Sequence, residues 1–376
     1  MPTIVPDPVN AATPPDNEYV LNLPTEIRSL KSRVNALAGV PADTINYFRK
    51  NLLDNGAFQV YQRLNALYSN VSKVYAAAEK FFFWDRWCFQ VTAGFTATVA
   101  LTRAADLQAP AGFSMAIGTA TAAISDRITM YQRIPQARQY IGKAMRLTVN
   151  CNIPIAVLGA GNFTVKALYN YGTGGTPAAA ATMLDTTIAT SGDNQLTFSF
   201  DTPAVSNASD FGTNENDYIE IQFSWMFITG SNVTWRSAQL EEGSAASPFE
   251  RLSYLQDLLR CQEHFQTTYN KGVAIGTAAS EAGSIRFQAN TAVTTPESWQ
   301  RFSEAMRATP AVLLYSTQTA NAPNKVYKET ATAGDVAGNS VATNISNTGY
   351  QMVTLGAAAI ADNVYKYHYT ADAELY

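Results

Sequence analysis

The sequence predicts an all-β protein in which a jelly-roll β-sandwich is followed by a second, smaller β-sandwich. Apolar and polar residues alternate over many short segments, and turn-forming sequences such as DNG, GTGG and SGDN separate them. The composition agrees, since 47% of the residues are hydrophobic and only 15% are charged. Short strands with one apolar face each are expected to form sheets that pack face to face.

The first 22 residues contain five prolines, which disfavour both helix and central strand. Two interpretations are open for residues 1–22. They form either a disordered tail or an extended peptide that becomes ordered when it docks onto a larger structure.

Residues 23–49 are predicted to form a coiled-coil helix and a linker. Beginning three residues before this segment, apolar residues recur at spacings of 3 and 4, which is the a/d pattern of a coiled coil. They are Val20, Leu23, Ile27, Leu30, Val34 and Leu37. Because so short a helix is marginal in water, we expect it to associate with other copies or, alternatively, to pack on its own chain. By the simple a/d rule the pattern favours two parallel chains.

Residues 50–250 are predicted to form the jelly roll. In AMRLTVNCNI, residues 144–153, every second side chain is apolar, and YIEIQFSWMF, residues 218–227, repeats the pattern. Such alternation is typical of a strand with one buried face.

A short helix is expected to join the two sandwiches, within residues 251–269. Ser253 and Gln256 have the spacing of a capping box, and four apolar residues suggest a buried stripe. The stripe consists of Leu255, Leu258, Leu259 and Phe265. Residues 270–376, with GSIRFQAN, PAVLLYS and GYQMVTL, are predicted to form the second sandwich.

Residues with catalytic or metal-binding chemistry are scarce. The chain has two histidines, His264 and His368, and three cysteines, which are expected to be reduced core thiols. Cys261 and His264 lie three apart on the predicted helix, and we interpret them as a core thiol beside a surface imidazole rather than as metal ligands. The sequence therefore predicts no metal, no cofactor and no catalytic residue.

Paired carboxylates of a glycan-cleaving enzyme were the remaining catalytic possibility. Glu241 and Glu242 are adjacent in a predicted strand, so their side chains point to opposite faces and cannot flank one bond. A pair assembled across strands stays open, but no spacing favours one. We expect a protein that is not an enzyme.

Charge and hydropathy limit the expected partners. The net charge of −4 gives no general attraction to nucleic acid. No apolar run approaches the ~20 residues of a membrane span, so no membrane insertion is expected. The N-terminus lacks a basic segment followed by an apolar core, and we therefore expect folding in a cytoplasm.

Aromatic residues are the main resource for ligand binding, with 19 Tyr, 18 Phe and 5 Trp on a neutral scaffold. The apolar faces of sugar rings stack on aromatic planes, while Asn, Gln and Thr bind sugar hydroxyls. Aromatic residues in turn-rich sequence are the ones expected to be exposed. The glycan-binding candidates are Tyr169, Tyr171, Trp299, Tyr327 and Tyr350.

Several motifs resemble a known family. NLLDNGAFQVYQR at residues 51–63 and WDRW at 84–87 resemble the opening of the jelly-roll module found in many bacteriophage tail fibres. ALYNYGTGG, GTNENDYIEIQF and AQLEEGSAASPFERLSYLQDLLRCQEHFQ resemble its later signatures, in the same order. EAMRATPAVLLYS and the terminal YTADAEL resemble its frequent C-terminal companion.

The resemblance implies a structural virion protein, a homotrimeric fibre whose outer domains face the host envelope. Residues 1–22 would attach it to a tail adaptor, portal or capsid protein, and the β domains would bind a host surface glycan. Where the a/d rule favours two chains, we follow the family and expect three. The alternatives are a head or tail decorating fibre without its own receptor, and a capsule depolymerase.

Overall fold

A computed structural model describes residues 50–63, 73–74, 80–92, 98–119, 127–159, 163–204, 210–226, 228–292, 297–329, 333–355 and 357–375. The predicted attachment peptide and the predicted coiled coil, with its six apolar residues, lie outside these ranges. Contacts group Asn51–Tyr376 into one compact unit.

The described residues form mainly strands, with few helical segments. The strands are β1 Lys73–Val74, β2 Lys80–Trp84, β3 Trp87–Val91, β4 Thr98–Ala105, β5 Phe113–Thr119, β6 Arg127–Pro135, β7 Ala144–Ile153, β8 Phe163–Asn170, β9 Ala181–Thr187, β10 Gly192–Asp201, β11 Tyr218–Met226, β12 Val233–Glu242, β13 Phe265–Thr267, β14 Ile285–Ala289, β15 Glu297–Arg301, β16 Ala311–Tyr315, β17 Tyr327–Glu329, β18 Gly334–Asp335, β19 Val341–Ser346, β20 Gly349–Thr354 and β21 Asn363–Asp372. The helices are a 3-10 turn at Ala137–Tyr140, α1 Ile155–Gly159 and α2 Tyr254–Gln262. The predicted all-β class is confirmed.

Two six-stranded antiparallel sheets form the jelly roll. One has the order β1-β4-β5-β12-β7-β10 and the other β2-β3-β6-β11-β8-β9. Strands distant in sequence are neighbours in space, as jelly-roll connections require. The inner faces enclose a continuous apolar core in which Phe58, Trp84, Trp87 and Trp235 pack with ring centroids 4.9 to 6.3 Å from Phe58.

The alternation predicted for β7 and β11 is confirmed. In β7 the buried residues include Met145, Leu147 and Val149, and β11 buries Ile219 and Ile221 in the same way. β7 lies between β10 and β12 and β11 between β6 and β8, so each fills a central position. A one-residue slip would turn these apolar rows to the outside, and the core therefore fixes the register.

The C-terminal strands form a second β-sandwich around β21. This ten-residue strand pairs with β13, β14, β16 and β17, and a three-stranded sheet of order β15-β20-β19 completes the fold. Its core is separate and rich in tyrosine, including Tyr350, Tyr365, Tyr367 and Tyr369.

Helix α2 begins as predicted and packs differently from the prediction. Ser253 and Gln256 form the capping box. The predicted apolar stripe is wrong for Leu255 and Leu259, which are 62% and 38% exposed, whereas Leu258 is half-buried and Phe265 is buried. Asp257 is buried on the same helix. The helix faces a polar loop, whose Asn55 N–H donates to the Asp257 carboxylate at 2.9 Å. A buried N–H needs an acceptor, and so the acidic residue occupies the inner face.

Candidate functional site

The structure separates the five aromatic candidates into buried and accessible residues. Tyr169, Tyr171 and Tyr350 are buried, Tyr327 is half-buried on β17, and Trp299 is 57% exposed. All five were predicted to be exposed, and this prediction is wrong for the three buried tyrosines. Trp299 is the candidate whose accessibility suits ligand binding.

The buried tyrosines are held by contacts that their local sequence does not reveal. The Tyr169 hydroxyl donates to the Ala137 carbonyl at 2.8 Å, and the Tyr171 ring packs 5.7 Å from Phe211. Tyr350 donates its hydroxyl to that of Tyr367 at 3.0 Å. Burial also raises the pKa of Tyr169 and Tyr350. All three are core residues, and the hydroxyls of Tyr169 and Tyr350 are hydrogen-bonded.

Trp299 borders an open groove of about 380 Å³, which we call the Trp299 groove. Its lining residues are Trp299, Arg301, Phe302, Ala305 and Thr348. Phe302, 8% exposed, is its most buried residue and Arg301 is exposed. The groove thus offers an exposed aromatic surface, a guanidinium and a hydroxyl at one place, near the lower end of the size range for small-ligand sites.

Local backbone geometry places these groups. Glu297 pairs with Met352 and Gln300 with Tyr350, so three steps along β15 oppose two along β20. This β-bulge contains Trp299, and bulges redirect side chains at the margins of sheets. The other wall is fixed by a hydrogen bond of 3.0 Å from the Phe302 N–H to the Thr348 carbonyl.

The second strand of the groove requires a glycine. A Cβ atom at Gly349 would lie 2.2 Å from the Gln300 carbonyl oxygen. Only a residue without a side chain permits this approach of β20 to β15. Gly349 is therefore a positioning residue for the groove, which sequence reasoning missed.

Sequence reasoning also missed a buried charge cluster, which we call the seam network and define as Asp54, Arg86, His264 and Glu374. Arg86 Nε lies 3.0 Å from Asp54 Oδ2, and Arg86 Nη1 pairs with Glu374 Oε2. His264 Nε2 lies 3.9 Å from Asp54 Oδ2 and Nδ1 lies 3.8 Å from Glu374 Oε2. Expecting a surface imidazole was wrong, since His264 is 3% exposed.

The seam network joins the two sandwiches. Asp54 and Arg86 come from the start of the jelly roll, and Glu374 follows the last strand of the chain. Burial lowers the pKa of Arg86, but the charges of Glu374 and Asp54 outweigh it and the net pKa is raised. A second ion pair, Arg63 to Asp85 at 3.1 Å, lies alongside. The cluster is enclosed, so its chemistry serves structure rather than access to a ligand.

The cysteines and Asp257 are likewise enclosed. The prediction of three reduced core thiols is confirmed, and burial raises the pKa of Cys261 well above its usual value. Burial also raises the pKa of Asp257 to about 6. The cavity beside Asp257 measures about 10 Å³. Because ~10–15 Å³ is needed for one water molecule, no substrate fits there.

The described ranges contain no cluster of three or more His, Cys, Asp or Glu residues suited to a metal ion. Nor does any helix there have the length and apolar character to cross a membrane.

No protein family and no curated protein matches the sequence. Among solved structures, the chain is similar to the enzymatically active domain of tailspike protein 4 of bacteriophage CBA120, with 12% identity and a TM-score of 0.32 over 51% of this chain and 21% of that one. A family 11 carbohydrate-binding module of Clostridium thermocellum Lic26A-Cel5E gives 8% identity and a TM-score of 0.25, over 46% of this chain and 96% of that one. A cyclase from Fischerella sp. TAU gives 9% and 0.30, over 51% and 96%.

The chain thus spans about a fifth of the tailspike domain it is similar to. At these identities and TM-scores, no argument about function follows from the likenesses.

Proposed function

We propose that this chain is a bacteriophage tail-fibre protein that binds host surface polysaccharide through the Trp299 groove. The observation that carries the glycan-binding part is the exposed indole of Trp299 beside the guanidinium of Arg301 and the hydroxyl of Thr348. The phage part is supported by the ordered motifs from NLLDNG to YTADAEL. The protein would act in the virion, after assembly in the host cytoplasm.

The groove has the chemistry that sugar binding requires. An indole face offers an apolar plane for the C–H face of a pyranose, and the 57% exposure of Trp299 makes it accessible to a ligand. Arginine and threonine at the rim offer hydrogen bonds to ring substituents. One shallow groove of this kind binds weakly, and several copies in one fibre would compensate.

We therefore propose a homotrimer, attached to other virion proteins through residues 1–22 and bundled through residues 23–49. Three grooves acting together strengthen binding by about 10²–10⁴-fold when their spacing matches the polysaccharide. Sedimentation of the full chain at micromolar concentration tests this proposal. A single species of 40.7 kDa would contradict it and remove the basis for avidity.

Binding by Trp299 is tested with the full chain on an array of bacterial capsular polysaccharides and lipopolysaccharide O-chains. We expect Trp299→Ala to lose ~2 kcal/mol of binding free energy, or about 30-fold in affinity per site. Leu255→Ala is the matched control, because Leu255 is 62% exposed and remote in sequence from the groove. If both variants bind as the wild type does, the groove is not the receptor site.

The mode of action is proposed to be binding without cleavage. Incubation with the bound polysaccharide and measurement of its chain length tests this directly. Shortened chains would favour the depolymerase alternative. A protein that binds no polysaccharide, on phage that adsorb normally when residues 270–376 are deleted, would favour the decorating fibre.

A further inference from the structure

The Trp299 groove carries a positive charge that the described part of the chain leaves unpaired. Arg301 is exposed, and no carboxylate of a described residue lies at ion-pair distance from its guanidinium. By contrast, Arg286 of the same sandwich lies 2.7 Å from Glu329, and Lys366 lies 3.1 Å from Glu281. A guanidinium held at a concave aromatic site without a partner favours an anionic ligand.

The positions of the two side chains match one acidic sugar residue. Trp299 and Arg301 are two residues apart on β15 and both line the groove. Two residues of chain span at most ~7 Å even when fully extended, so the two Cα atoms lie within about the width of a pyranose ring with its substituents. A ring stacked on the indole therefore places a substituent at its edge within reach of the guanidinium.

We propose that the Trp299 groove selects a uronic acid residue, with the sugar ring on Trp299 and its carboxylate on Arg301. This inference rests on the proposed function and specifies its ligand class. The planar carboxylate matches the fork of the guanidinium and accepts two parallel hydrogen bonds. Thr348 lines the same groove, and its hydroxyl, which lies 3.1 Å from the Ser346 hydroxyl, is available to a sugar hydroxyl.

The whole-chain charge supports a local anion site rather than a general one. The net charge of −4 gives no general attraction for long anionic polymers, so an anionic sugar has to be recognised by a local contact such as the one at Arg301. Selection then depends on a carboxylate presented on a ring that can stack, which a free inorganic anion lacks. Alternating acidic and neutral sugars meet both conditions, since they lower the charge density of the polymer.

The test uses the full chain and a panel of uronate-containing capsular polysaccharides, each in its native and its carboxyl-reduced form. We expect the wild type to bind native polymer about tenfold more tightly than reduced polymer, as loss of a charge-assisted hydrogen bond implies. Arg301→Gln should remove this difference and Arg286→Gln, at another exposed arginine, should keep it. Raised salt should weaken native binding by the wild type and leave that of Arg301→Gln nearly unchanged.

The outcomes separate this inference from the function beneath it. Equal binding of native and reduced polymers, abolished by Trp299→Ala and unaffected by Arg301→Gln, would overturn uronate selection and leave glycan binding in place. Absence of binding to acidic and neutral polysaccharides alike would overturn both. Preference for the native form that persists in Arg301→Gln would place the acid-selective site elsewhere and also overturn the inference.

Discussion

Removing Arg86 should destabilise the protein far more than removing a surface arginine. Its side chain is 2% exposed and lies between Asp54 and Glu374, which are 4% and 2% exposed. Arg86→Met preserves much of the side-chain volume, leaves the buried Asp54 carboxylate without its arginine partner, and leaves Glu374 with only Arg63 at 3.5 Å as a cationic partner. Breaking a buried ion pair in this way costs about 3–5 kcal/mol of unfolding free energy. The backbone at Arg86 is left-handed, with φ 72°. This conformation disfavours arginine and methionine alike, so the substitution adds no backbone strain of its own.

This loss of unfolding free energy is measured by urea denaturation, with tryptophan fluorescence as the signal. Arg286→Met is the control, because Arg286 and Glu329 form an ion pair at 2.7 Å with side chains that are 59% and 40% exposed. Such surface pairs contribute ~0–1 kcal/mol. The reasoning also predicts that adding Asp54→Asn and Glu374→Gln to Arg86→Met recovers part of the stability, since fewer charges are then buried. An Arg86→Met loss no larger than that of Arg286→Met would refute it.

Two further predictions concern pH and backbone packing. Burial raises the folded pKa of Asp257 from 3.8 to about 6, so folding favours its protonated form and its contribution to stability falls as pH rises through 4 to 6. The unfolding free energy of Asp257→Asn, relative to that of the wild type, should therefore rise by about 3 kcal/mol between pH 3.5 and 7, at ~1.4 kcal/mol per pKa unit. A difference that stays constant with pH in urea titrations would contradict this. Gly349→Ala should lower the unfolding free energy by about 1–3 kcal/mol and weaken polysaccharide binding, because the new Cβ would overlap the Gln300 carbonyl. Gly334→Ala is the control and should be tolerated, because the space around its Cβ is open. Wild-type melting and binding in Gly349→Ala would show that β15 and β20 adjust freely.

The strands could be predicted from local patterns, because the alternation of apolar and polar residues within a strand shows which of its faces is buried. In β7 the apolar period of two follows from packing on one face, and this signal needs no knowledge of the partner strand. The capping box of Ser253 and Gln256 is similarly local, since both partners lie within one helical turn.

Burial of individual polar and aromatic residues was not predictable in the same way. His264 is enclosed by Asp54 and Glu374, and Arg86 bonds to Glu374 across 288 positions of sequence. Tyr350 lies in turn-rich sequence and is nevertheless covered by the core around β21. Such coverage is decided by which distant segments meet, and residue spacing holds no record of it.

The sequence allowed only part of the candidate groove to be predicted. Trp299 was identified from its polar, turn-rich surroundings, whereas Arg301 was not. The alternation of a strand would have placed both side chains on one face, but the β-bulge between Glu297 and Gln300 and the approach of Gly349 depend on β20.

Two sets of residues differ in how much they contribute to stability: those in the motifs that resemble phage fibres, and those that line the Trp299 groove. NLLDNG and WDRW contribute Asp54 and Arg86 to the seam network, where substitution leaves charge buried and costs several kcal/mol. Trp299 and Arg301 precede the matching segment EAMRATPAVLLYS and are exposed, so substitution there costs stability only within about 0.5 kcal/mol. Residues of the groove can therefore be substituted without loss of the fold, whereas residues of the seam network cannot. The chain thus places structural stability and the exposed aromatic and basic groups of the groove on different residues.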